Sequence, residues 1–118
     1  MDDTVRKLQR ELHAGTTSLV LLALVSRAEE PIYGYSLAKQ LEESLDADGG
    51  FKPGTVYPVL RSLESLGLLA SQVEPSVSGP PRRYYTITAR GKEALMHWKA
   101  TWTRTRTMVD LLIEGNHR

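Results

Sequence analysis

The sequence has no cysteine among its 118 residues. Disulfide staples, thiolate metal sites and a cysteine nucleophile are thereby excluded. It also lacks a membrane-length apolar run, since the longest, residues 19–25, spans seven residues against about 20 for a bilayer crossing. At the N-terminus, Met1 is followed by Asp2, Asp3 and Thr4, acids where a secretion signal carries bases, and no apolar signal segment follows. A cytoplasmic, reducing setting without membrane attachment is the expectation. Catalytic signatures are missing as well. His13, His97 and His117 are far apart and lack a metal-ligand spacing, and no nucleophile elbow, P-loop or dinucleotide-binding glycine pattern occurs. The carboxylate pairs Glu29/Glu30 and Glu42/Glu43 have nothing beside them to perturb their acidity. No enzyme, no resident metal and no cofactor are expected.

Excess charge of one sign is lacking too: 15 Lys and Arg stand against 14 Asp and Glu, for a net charge of +1. The balance hides a division along the chain. Between residues 29 and 48, six acids (Glu29, Glu30, Glu42, Glu43, Asp46, Asp48) face the single base Lys39. Between residues 51 and 92, six bases (Lys52, Arg61, Arg82, Arg83, Arg90, Lys92) face only Glu64 and Glu74. A basic stretch over residues 51–92 on a chain of near-zero total charge is compatible with an anionic partner, and also with ordinary solvated faces. Pattern has to separate the two.

The length suits one domain, and four helical segments and a hairpin are legible. Over residues 4–27, Leu8, Leu12, Leu19, Leu22 and Val25 recur at helical spacing. Gly15 allows a kink or a later start, and Pro31 pushes the residue before it out of the helix. A short helix follows over residues 34–45, with Leu37, Leu41 and Leu45 on one face and Lys39, Glu42 and Glu43 facing water. Asp46, Asp48, Gly49 and Gly50 break the chain again. A third helix is expected over residues 53–66, with Val56, Leu60 and Leu63 inward. Pro58 requires either that Thr55 be the N-cap, which leaves Pro58 in the first turn, or that one hydrogen bond be missing. Gly67 is the expected left-handed cap. Residues 68–74 and 82–88 then read as strands, joined by a loop holding Pro75, Gly79, Pro80 and Pro81. Thr88 or a neighbour starts a last helix over residues 89–114. In it Leu95, Trp98, Trp102, Thr105, Val109 and Leu112 step by threes and fours as a heptad seam.

Three helices and a hairpin describe a mainly α (α+β) chain, a winged helix-turn-helix with an added C-terminal dimerisation helix. The expected division is a DNA-binding domain over residues 1–90 and the dimerisation helix over residues 91–118. In that fold the third helix enters the major groove and the hairpin touches flanking backbone. The candidate DNA contacts are Lys52, Thr55, Tyr57, Arg61, Arg82 and Arg83. Thr55 and the helix-start amides suit a phosphate, Tyr57 can donate its hydroxyl to one, and Arg61 can reach a base edge or phosphate. Arg82 and Arg83, adjacent at the end of the wing loop, favour an anion. The rival reading is a winged helix serving as a protein-interaction module, whose basic wing meets an acidic partner. A steep log-linear loss of binding with salt distinguishes DNA from that alternative.

Several stretches resemble one known family. They are Tyr33-Gly34-Tyr35-Ser36-Leu37, the run Pro53-Gly54-Thr55-Val56-Tyr57-Pro58-Val59-Leu60-Arg61, Gly67-Leu68-Leu69, and Gly79-Pro80-Pro81-Arg82-Arg83-Tyr84-Tyr85-Thr86-Ile87-Thr88 with Gly91 after it. In this order they resemble the PadR family of bacterial transcriptional regulators, in its short form with a single C-terminal helix. One departure is Lys52, where many relatives carry a serine cap; it adds positive charge at the DNA-facing end. The resemblance implies a homodimer on double-stranded DNA, with a pseudo-palindromic operator, half-sites about one turn (~34 Å) apart, and repression as the mode of regulation. Leu95, Trp98, Trp102, Val109 and Leu112 are the expected dimer seam. Trp98 and Trp102, four apart on one helix face, are read either as dimer core or as walls of a slot for a planar aromatic small molecule, which multidrug-sensing relatives build at the dimer interface.

Overall fold

Leucines at helical spacing and two capping residues set most of the element boundaries. The computed structural model describes residues 3–45 and 52–115, so the acidic turn expected at 46–50, and His117, lie outside the described residues. Helix α1 spans Asp3–Arg27, strand β1 Ile32–Tyr33 and helix α2 Gly34–Leu45; a 3-10 turn, Pro53–Thr55, leads into helix α3, Val56–Ser65. Strands β2, Leu69–Glu74, and β3, Arg82–Ile87, precede helix α4, Ala89–Glu114.

Helix α1 passes through Gly15 without a break. A Cβ there would meet no atom within 4 Å, so the glycine costs only its own backbone entropy, about 1 kcal/mol relative to alanine. The two halves of the helix differ. Leu21, Leu22 and Val25 are buried, whereas Leu8 and Leu12 are exposed. In α2, Leu37, Ala38 and Leu41 enter the core. Lys39 and Glu43 face water as expected, while Glu42 is half-buried.

Thr55 occupies the cap position of α3 but caps nothing with its side chain. Its hydroxyl donates to Lys52 O at 2.7 Å and its amide to the same carbonyl at 3.0 Å. Pro58 is the third residue of α3 and therefore sits in the first turn, where an amide proton has no helical acceptor. At the other end Gly67 adopts φ +81°. Gly67 N donates to Glu64 O and Leu68 N to Leu63 O, the paired bonds of a Schellman cap.

The sheet has the order β1-β3-β2 and is antiparallel throughout. Sequence periodicity cannot find β1, because two residues behind Pro31 carry no period; it exists because Ile32 and Tyr33 pair with Tyr85 and Tyr84. The β2–β3 hairpin is in register from Leu69↔Ile87 to Glu74↔Arg82. Helices α2 and α3 form the helix-turn-helix, and the hairpin is its wing.

Thr88 joins the wing to α4. Its hydroxyl donates to Gly67 O at 2.7 Å and accepts from Gly91 N at 2.9 Å. Gly91 presses on the start of β2, where a Cβ would lie 2.1 Å from Leu68 O. Ala94, Leu95 and Trp98 then pack against the core. Leu95 and Trp98, the first positions of the expected dimer seam, thus pack within their own chain, because α1 is long enough for α4 to lie beside it. From residue 101 onward every described residue of α4 is exposed. This projecting rod explains a radius of gyration of 16.5 Å, against about 13–14 Å for a compact chain of this length.

Candidate nucleic-acid interface

The interface is assembled around β3. Adjacent strand residues point to opposite faces of a sheet, so Arg83 and Tyr85 face the α3 side while Arg82 and Tyr84 face away. The two arginines expected to act as an adjacent pair are therefore split. The Arg82 guanidinium carbon lies 5.2 Å from the ring centre of Tyr33, within cation–π range. Tyr33 in turn is 5.6 Å from Tyr84 and 5.8 Å from Tyr35, ring centre to ring centre.

Tyr85 is buried and wedges between α2 and the sheet. Gly34 makes room for it: a Cβ at that position would stand 3.2 Å from the Tyr85 ring. In front of Tyr85 opens a cleft of about 580 Å³, lined by Tyr33, Tyr35, Tyr57, Arg61, Glu64, Ser65 and Arg83. Three of the residues expected to touch DNA, Tyr57, Arg61 and Arg83, thus share one cavity wall. Lys52, Thr55 and Arg82 are exposed but do not line it. Thr55 commits both its hydroxyl and its amide to Lys52 O, so the expected donation from Thr55 to a phosphate is met by a turn that already uses both donors.

Four of the five tyrosines of the chain line this cleft, and the fifth, Tyr84, stands against Tyr33. Tyr33 and Tyr35 are additions to the expected set. Their signal in the sequence is a pair of tyrosines flanking Gly34, which stand at the end of β1 and in the first turn of α2. The Tyr57 phenol is pushed above its ordinary value, mainly by burial and further by the neighbouring phenols Tyr33 and Tyr35. It therefore remains a hydrogen-bond donor throughout the neutral range. Tyr85 is also raised, chiefly by burial; the Arg83 and Arg61 guanidinium groups oppose the shift, and Glu64 and Tyr57 add to it.

A second surface lies at the far end of α1. Trp98 and Trp102 share a groove of about 610 Å³ with Glu11, Leu12, Thr16, Leu19 and Thr105. Trp98 leans on the core, while Trp102 is 42% exposed. Val109 and Leu112 are exposed. So are Met108, Leu111 and Ile113, which widen the expected seam. Among the described residues no group of three or more His, Asp and Glu side chains could hold a metal, and no helix is long and apolar enough to cross a membrane.

Residues 21–97 match the model of the transcriptional regulator PadR-like family. Among solved structures, a PadR family transcriptional regulator from Eggerthella lenta is similar, with 36% identity, coverage of 98% of this chain and 96% of that one, and a TM-score of 0.81. A PadR-like transcriptional regulator from Bacillus cereus has 29% identity over 90% of this chain and 99% of its own, with a TM-score of 0.72. A transcriptional regulator of Mycobacterium tuberculosis is 37% identical over 70 residues, 58% of this chain and 60% of that protein.

Proposed function

The chain belongs to the PadR-like family of transcriptional regulators, and from that membership we propose that it acts as a homodimeric repressor released from its operator by a planar aromatic ligand. It is a DNA-binding regulator and not an enzyme, as the family is. In the proposed complex α3 enters the major groove. Arg61 reaches a base edge or phosphate, Tyr57 donates to a phosphate, and Arg83 and Arg82 follow the flanking backbone along the wing. Lys52 adds positive charge where α3 meets the duplex.

The observation that carries the dimer is the bare apolar seam of α4. Trp102, Val109 and Leu112 stand exposed with Met108 and Ile113, beyond the point where the chain's own core ends. Leu12 on α1, exposed and sharing a groove with Trp102, adds to the same apolar surface. A patch of that kind marks an interaction site on a water-soluble chain, and two-fold pairing of identical helices is the commonest way to cover one. Two reading helices on one duplex then call for a pseudo-palindromic operator. The groove beside Trp98 and Trp102 supports the ligand, because flat apolar walls with a few polar groups suit a planar aromatic. Repression follows from occlusion of the promoter by a small dimer.

One preparation tests the reading. Light scattering should give a particle of twice the 13.2 kDa chain mass. Its binding to the DNA upstream of its own gene should weaken log-linearly with salt, by a slope near −0.9 per phosphate neutralised. A planar cationic dye should quench tryptophan fluorescence and release the DNA, and Trp102→Ala should abolish both effects. A folded particle of single-chain mass, or salt-insensitive binding, removes the proposal.

A further inference from the structure

Arg83 is exposed but tethered. Its Nη1 donates to Ser71 Oγ at 2.8 Å, and the Ser71 hydroxyl donates to Glu64 Oε2 at 2.7 Å. A hydroxyl has one proton and two lone pairs, so it can serve a guanidinium and a carboxylate together. Both bonds are charge-assisted, hence shorter and stronger than neutral ones. No direct ion pair joins Arg83 to Glu64 among the described residues; the serine is the connection. The three residues come from three elements, Glu64 from the last turn of α3, Ser71 from β2 and Arg83 from β3.

We propose that Ser71 and Glu64 are specificity-determining positioning residues, which hold the Arg83 guanidinium at one distance from α3 so that wing and reading helix engage a single duplex in one register. This rests on the DNA-binding role of Arg83 and deepens it. A free arginine samples many rotamers and reaches whichever phosphate is near. Held through Ser71 to the end of α3, it presents its charge at a place set by the reading helix. Only a duplex whose bases have seated that helix then puts a phosphate there. Random-sequence binding needs positive charge but not its exact location, so it gains nothing from the tether. The setting of Tyr85, opposite Ser71 in the ladder, agrees: Arg83, Glu64 and Arg61 all act on its phenol, which places these charges around one point.

The test uses the full chain, a duplex selected by this protein from a random pool, and a shuffled duplex of equal length. Ser71→Ala should lower the ratio of the two affinities about three- to tenfold, the range expected from ordering one long side chain, with shuffled binding unchanged. Ser71→Thr, which keeps the hydroxyl, should restore the ratio. In an Arg83→Ala background Ser71→Ala should add no further loss, since the serine acts through the arginine. Equal weakening on both duplexes, or the same loss without Arg83, overturns the inference. If Arg83→Ala weakens binding while Ser71→Ala is silent, the tether fails and the DNA reading stands; if Arg83→Ala itself changes nothing, the assignment of Arg83 to DNA falls. Should Ser71→Ala not fold by circular dichroism, Glu64→Ala carries the same comparison.

Discussion

The two halves of α4 are one continuous helix in two different environments. The first half is locked to its own domain: Gly91 presses on the Leu68 carbonyl, Thr88 caps the helix, and Leu95 and Trp98 pack on the core. In the second half Trp102 still shares a groove with Leu12 and Leu19 of α1, while Val109, Leu112 and Ile113 stand exposed beyond it. An isolated helix of that length is marginal in water. One helix thus serves as the last wall of a folded domain and, further on, as an exposed apolar surface.

Substitutions in each half should therefore fail differently. The largest effect is expected at Gly91→Ala. The added methyl would meet backbone at 2.1 Å, which no side-chain rotation relieves. A loss of about 3 kcal/mol or more in urea unfolding, or no folded protein, is expected from such overpacking; a change below about 1 kcal/mol would mean that α4 is not seated on β2 in this way. Next comes Leu112→Asp in the outer half. Unfolding of the winged body should change little, while the proposed dimer is weakened by at least about 2 kcal/mol, the scale of a buried anchor. Light scattering against concentration reads this directly, and a Leu112→Asp protein that remains dimeric would show that the outer seam is not the interface.

The smallest expected effect belongs to the winged body alone. The phenol of Tyr85 is raised by burial, so the folded state holds its proton more tightly than the unfolded chain does. The stability this represents is complete below the ordinary phenol value of about 10 and is lost as pH rises through the folded value. Melting temperature should accordingly fall in alkali, and Tyr85→Phe should flatten that part of the profile. An unchanged slope in the phenylalanine variant would assign the alkaline loss to other groups.

Much of the fold was legible from residue order. Helix α2 begins at Gly34, α3 stops just before Gly67 and α4 runs from Ala89 to Glu114, as periodicity, Gly67 and Thr88 indicated, because caps and turns act over a few residues. The placement of Pro58 in a first turn resolved one of two local alternatives. The candidate site was legible only in part. Tyr57, Arg61 and Arg83 do line one cleft, but the Arg82–Arg83 pair is divided by the alternation of β3, and Thr55 is committed to Lys52 O. Tyr33 and Tyr35 were visible as a motif and not as part of the site, since pairing with β3 places Tyr33 and the packing of α2 places Tyr35 at the cleft. The link from Glu64 through Ser71 to Arg83 joins residues up to 19 positions apart, and no local spacing announces it.

Residue order by itself determined where helices start and stop, where the hairpin turns, and that residues 51–92 carry six bases against two acids. These are short-range matters of proline, glycine, capping hydroxyls and leucine spacing. Tertiary structure alone decided which face of β3 each arginine occupies, how far along α4 the chain's own core extends, and which carboxylate of α3 is linked to the wing. Those choices depend on strand register and helix docking, where the free energy lies in contacts between segments far apart in the chain.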